Sequence, residues 1–228
     1  MGKDGKLYSI TEDVRNGNGR AVKSKLWSPN RVDRIDEPIN AIFWLMQDPT
    51  IPPVLKLKGS SLGSAMGATL ATKRTSAERL AEGVDPNALV VEPYANPFRT
   101  YPLELDYTRF KQLIDDGVDC YILNTGTFMG KKVQPKHTLG ILESIVEGRA
   151  KFDQWESFSD IQIMHLDDFK VSFDDAEYAD QFVKRIQDRI KFIETREVEK
   201  GGMDKLPDDA VEALLKVISE AKKLTGVS

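Results

Sequence analysis

Cysteine, histidine and long apolar runs are scarce in this sequence, and each scarcity removes a class of function. Cys120 is the single cysteine among 228 residues, so the chain can form neither an internal disulfide nor a cysteine-based zinc cage, which suits a reducing compartment. His137 and His165 are the only histidines, and a metal site built from them is not expected. No apolar run approaches the roughly 20 residues of a membrane span, and the opening MGKDGKLYSI lacks the apolar stretch of a secretory signal. The chain is therefore expected in the cytoplasm, without a membrane partner. Basic residues are in no surplus, with 32 Lys and Arg against 36 Asp and Glu. That balance argues against a general nucleic-acid partner, whose phosphates are held by excess Lys and Arg. The phosphate-cradling pattern GxxxxGK[ST] is missing as well, and with it the usual P-loop.

What is present suits a folded α/β protein, with 40% apolar and 30% charged residues. The turn-rich Asn16-Gly17-Asn18-Gly19 would more naturally lie inside a chain than near its start, which hints at a fragment. INAIFWLM, residues 39 to 46, is bounded by prolines and predicts a strand buried on both faces. DPTIPPVLKL carries three prolines that forbid a helix and predict a rigid loop leaving that strand. Residues 59 to 72 are rich in small side chains, with Leu62, Met66 and Leu70 spaced by four, and permit a closely packed helix. Lys73 to Arg99 reads as a long polar connection broken by LVVE, of a length often found in lids and binding loops.

Asp106 is expected to cap a helix over YTRFKQLIDD that stops at Gly117. The strand VDCYILN follows and breaks at Thr125-Gly126, and a second helix starts near Lys136. IQIMHL is a short strand candidate. Ser172-x-x-Asp175 opens a long helix that turns Ala179, Phe182, Val183, Ile186, Ile190 and Ile193 inward. Pro207 begins a last helix with the stripe Val211, Leu214, Leu215, Ile218 and Leu224. The expected architecture is a mixed sheet with flanking helices and a helical C-terminal extension. It divides into an irregular segment over 1–30, an α/β domain over 31–172 and the helices of 173–228.

The segment most suggestive of chemistry is NTGTFMGKKVQPKHT, residues 124 to 138, because ligand loops in α/β sheets follow a buried strand and lead into a helix. Gly126 and Gly130 would let backbone amides approach a ligand, and Lys131, Lys132 and Lys136 offer charge to a phosphate. Gly126-x-x-x-Gly130-Lys131-Lys132 is nevertheless no P-loop, being one residue short and lacking Ser or Thr after the lysine.

AIFWLMQDPTIPPVLKL, LDYTRFKQLIDDGVDCYILNTG and GKKVQPKHTLGILESIVEG together resemble, in order, the C-terminal part of ATP-dependent phosphoenolpyruvate carboxykinases, over about residues 30 to 170. Pro52-Pro53, Asn124-Thr125-Gly126 and the Gly-Lys-Lys loop carry the resemblance. It implies a base pocket in which Lys132 stands where the family has an arginine near adenine. Val133 follows it, and Thr138 takes the place of an adenine-contacting threonine. Lysine lacks the planar face of guanidinium, so base stacking should be weaker. Thr127-Phe128 replaces the family's tryptophan, and its lid motif survives only faintly at Ala77-Glu78-Arg79.

Arg31, with Arg34 as the alternative, resembles an arginine that touches transferring phosphoryl oxygens, where several donors on one cation suit the spreading charge. The resemblance implies ATP or another nucleoside tri- or diphosphate as ligand. It also implies an enzyme of gluconeogenesis interconverting oxaloacetate and phosphoenolpyruvate, with the P-loop and divalent-metal ligands supplied by an N-terminal half absent from this sequence. Two other readings stand beside it: a non-catalytic nucleotide- or phosphometabolite-binding module, and an interaction protein that docks a partner through its C-terminal helices.

Overall fold

The computed structural model describes residues 36–73, 82–85, 88–170 and 172–225. The chain forms two compact units. The first comprises Met1–Glu37 and Lys73–Ala88, and few of its residues are described. The second comprises Pro38–Thr72 and Leu89–Ser228 and carries the sheet and its helices. Arg31, Arg34 and Ala77-Glu78-Arg79 lie outside the described residues.

The elements run β1 (Ala41–Met46), β2 (Val54–Leu57), α1 (Ser60–Ala68), β3 (Ala71–Lys73) and β4 (Leu89–Val91), then α2 (Leu103–Asp115) and β5 (Asp119–Asn124). A two-strand hairpin of β6 (Thr127–Phe128) and β7 (Lys131–Lys132) leads into α3 (Pro135–Val146). After it come β8 (Asp153–Gln154), β9 (Ile161–Ile163), α4 (Ala176–Glu199) and α5 (Asp208–Leu224). The main sheet is mixed, in the order β1-β5-β2-β9-β8. β1 pairs in parallel with β5, and β2 runs antiparallel to both β5 and β9.

Strand alternation sends Trp44, Met46, Leu55, Leu57, Cys120, Ile122, Ile161 and Ile163 to one face. Leu62 and Met66 of α1, Tyr107 of α2, Phe182 and Ile186 of α4 and Leu214 and Val217 of α5 join them in one apolar core. The other face places Val54 and Leu123 beneath Ile141 of α3. The two C-terminal helices thus complete the same core as the sheet. Trp155, Phe158, Phe173, Tyr178 and Phe182 interlock there, with ring centroids from 5.2 Å for Trp155–Phe158 to 6.2 Å for Tyr178–Phe182.

Several expectations are corrected. β1 is an edge strand and not buried on both faces, with Leu45 55% exposed. The prolines end at Pro53, so Val54–Leu57 is free to pair on both sides as β2 and is no loop. Asp106 lies inside α2, whose N-cap is Pro102; its carboxylate instead accepts from the Tyr101 hydroxyl at 3.0 Å. α4 is capped by Asp175, which accepts the amides of Glu177 and Tyr178, while Ser172 bonds Asp174. Leu215 points to solvent, since helix α5 packs through Ala210, Leu214, Val217, Ile218 and Ala221. Gly117 does end the α2 turn in the left-handed region, at φ 97°.

Candidate functional site

Met46 and Asn124 end the parallel strands β1 and β5 side by side, and the chain segments leaving them build the carboxyl edge of the sheet. Asn124 fastens that edge. Fully buried, its amide nitrogen donates to the carbonyls of Asp48 (2.7 Å), Ile51 (2.6 Å) and Thr127 (3.0 Å), and its Oδ1 accepts the Gly126 amide at 2.9 Å. One side chain therefore ties both loops at the strand ends. It also occupies the Gly126 N–H that the sequence had offered to a ligand. Gly126 is needed for another reason: a Cβ there would stand 3.0 Å from Cβ and 3.2 Å from Cα of Gln47.

Asp48, also fully buried, anchors the same edge to α4. Its Oδ1 accepts from Thr50 N (3.1 Å) and Oγ1 (2.8 Å), and its Oδ2 accepts from Arg189 Nη2 (2.8 Å) and Arg185 Nε (3.2 Å). Arg189, 2% exposed, also donates to the carbonyl and hydroxyl of Thr69. Burial pushes the Asp48 carboxyl up, but the two guanidinium groups and the Thr50 bonds outweigh it and hold the acid below its ordinary range. Sequence reasoning missed this cluster because its partners stand 137 and 141 residues apart, with no local signal linking them.

The Gly-Lys loop is a tight hairpin. Thr127 pairs with Lys132 and Phe128 with Lys131, leaving Met129 (φ 45°) and Gly130 (φ 77°) as the turn. Two consecutive positive φ angles are the signature of a type I′ hairpin turn, so Gly130 answers a backbone requirement. Lys131 reaches across to residues 168 and 169: Nζ donates to Asp168 O (2.7 Å) and Oδ1 (3.1 Å) and stands 5.1 Å from the Phe169 ring centre. The Lys131 bond holds the Asp168 carboxyl below its usual value. Gly126, Gly130 and Lys131 thus each serve an internal contact or turn.

Lys132, Val133 and Thr138 converge differently. With Thr125, Pro135 and Leu139 they line an open hollow of about 320 Å³, where β5 passes through the hairpin into α3. Its size falls within the ~300–1,000 Å³ of small-molecule clefts. Val133 forms a buried wall and Leu139 is 65% exposed, so the lining is largely apolar. Neither Lys132 Nζ nor Thr138 Oγ1 has a hydrogen-bond partner among the described residues, which leaves a cation and a hydroxyl at an apolar slot. Among the described residues no group of three or more His, Cys, Asp or Glu could hold a metal ion, and no helix is long and apolar enough to cross a membrane.

No protein-family model matches this chain, and no curated protein matches it significantly. These comparisons link it to no family, the carboxykinases included.

Proposed function

We propose that this chain is a nucleotide-binding module that holds the base of its ligand and does not by itself transfer phosphate. The observation that carries the reading is the convergence of Lys132, Val133 and Thr138 on one hollow at the carboxyl edge of a mixed sheet, where open α/β sheets bind ligands. An apolar slot suits a planar base, and the unpartnered Thr138 hydroxyl and Lys132 ammonium suit its polar edge. The phosphates would find little: the Gly126 amide and the Lys131 ammonium are already engaged. The architecture is proposed as a distant version of the carboxykinase C-terminal domain. Carboxykinase chemistry itself, the nucleotide-dependent interconversion of oxaloacetate and phosphoenolpyruvate, is proposed only for a longer chain that supplies a phosphate cradle and metal ligands.

Calorimetric titration with ATP, ADP and adenosine tests the reading. The expected result is saturable binding in which adenosine is about as strong as ATP, weakened severalfold by Lys132→Ala and by Thr138→Val. An absence of saturation at about 1 mM, corresponding to a binding free energy weaker than about 4 kcal/mol, would refute it.

A further inference from the structure

Gly140 lies in the middle of α3, where glycine weakens a helix relative to alanine. Among the described glycines it alone has neither a positive φ nor a neighbour that a side chain would strike: a Cβ built there meets nothing within 4 Å beyond its chain neighbours and the backbone of its own helix. Packing among the described residues therefore gives no reason for a glycine at this position. The open space belongs to a second hollow, of about 380 Å³, on the flank of α3 away from Thr138 and Leu139.

Residues 136, 137, 140, 141 and 144 share one stripe of the helix and form one wall. The opposite wall is the segment after β9, through Met164, Leu166 and Phe169. Ile141 and Phe169 are buried and make the floor apolar. The polar groups at the rim are unequal. Asp168 is neutralised by Lys131, and Asp167, fully exposed, lies 4.0 Å from Lys170. Lys136 has no ion pair among the described residues, although its charge reaches Asp168. His137 accepts the Gln134 amide on Nδ1 at 3.1 Å, which leaves Nε2 as its donor, 3.9 Å from Asp168 and beyond hydrogen-bond reach. The Ser144 hydroxyl is likewise without a partner among the described residues. Apart from the solvent-facing Asp167 carboxylate, 4.0 Å from Lys170, the groups around this apolar floor without a partner among the described residues are one cation and two hydrogen-bond donors.

We infer that the hollow between α3 and residues 164–169 is a binding site for a small amphipathic anion, whose apolar body lies over Gly140 and Ile141 and whose carboxylate, sulfonate or phosphate head meets Lys136. Gly140 is then the residue that keeps the helix wall bare where the body lies.

The probe is 8-anilinonaphthalene-1-sulfonate, an aromatic body with an anionic head, titrated against the full chain and followed by fluorescence. Saturable binding is expected, reduced at least about tenfold by Gly140→Leu, which fills the hollow, and severalfold by Lys136→Glu, which leaves the floor intact; a tenfold loss corresponds to about 1.4 kcal/mol. Melting curves should show both variants folded, with Gly140→Leu no less stable than the parent. The uncharged analogue N-phenyl-1-naphthylamine should bind with no dependence on residue 136. Unchanged sulfonate binding in Gly140→Leu, equal loss of both probes in Lys136→Glu, or no saturable binding to the parent would each overturn the assignment.

Discussion

Replacing Asp48 with alanine removes the carboxylate that Arg189 and Arg185 share, and leaves a guanidinium that is 2% exposed with no countercharge. An uncompensated buried charge of this kind costs about 3–5 kcal/mol. Domains are held by about 5–15 kcal/mol, so about a fifth or more of the stability is at stake. For a chain of this size each kcal/mol moves the melting temperature by about 2–4 °C, giving an expected fall of about 6–20 °C. Urea unfolding followed by tryptophan fluorescence reads the change, because Trp44 and Trp155 are both buried beside the affected core. A companion variant, Asp48→Leu with Arg189→Met, removes the carboxylate and the buried guanidinium, leaves the more exposed Arg185 beside Asp188, and should recover most of the loss, since apolar replacements of buried pairs are often neutral or stabilising.

The pH dependence carries a second signature of the same pair. The folded carboxyl titrates below its ordinary value and the unfolded one near ~3.9. Asp48 therefore contributes stability fully present above about pH 4, which is lost as pH falls through the lower folded value. Asp48→Asn should flatten that acid limb. If Asp48→Ala costs less than about 1 kcal/mol, the range of an exposed ion pair, or if the double variant is as unstable as the sum of its parts, the reasoning fails.

Gly67→Ala should destabilise by about 1–3 kcal/mol, the usual cost of overpacking, because its Cβ would stand 2.7 Å from the Trp44 ring and 2.8 Å from that of Tyr94; chemical denaturation checks it, and a neutral result would contradict the close approach of α1 to these rings. Burial pushes the Cys120 thiol up to about 12, so iodoacetamide should label the native chain negligibly at pH 8 and rapidly in urea, as intact mass spectrometry would show. Labelling at equal rates in both states would place the thiol at the surface.

The long helices were legible because their evidence is local. The period of Phe182, Ile186 and Ile193 marks α4 without reference to any other part of the chain. Gly117 and Pro207 mark helix ends for the same reason, through φ and a missing donor. What the sequence could not reveal was pairing. VLKL became a central strand because β5 and β9 accept it on both sides, whereas the prolines before it suggested a loop. Asn124 could be read as the end of a strand but not as the clamp of two loops, since two of its carbonyl partners are more than 70 residues away. Lys131 and Lys132 are indistinguishable by type, and only the position of Asp168 separates an engaged lysine from an unpartnered one.

Competition of unlabelled adenosine and ATP against a fluorescent adenine nucleotide tests whether this chain grips a base without gripping phosphate. The expected result is displacement at similar concentrations by both, with both curves moved together by Thr138→Val. Displacement by ATP alone, or by neither, would contradict it.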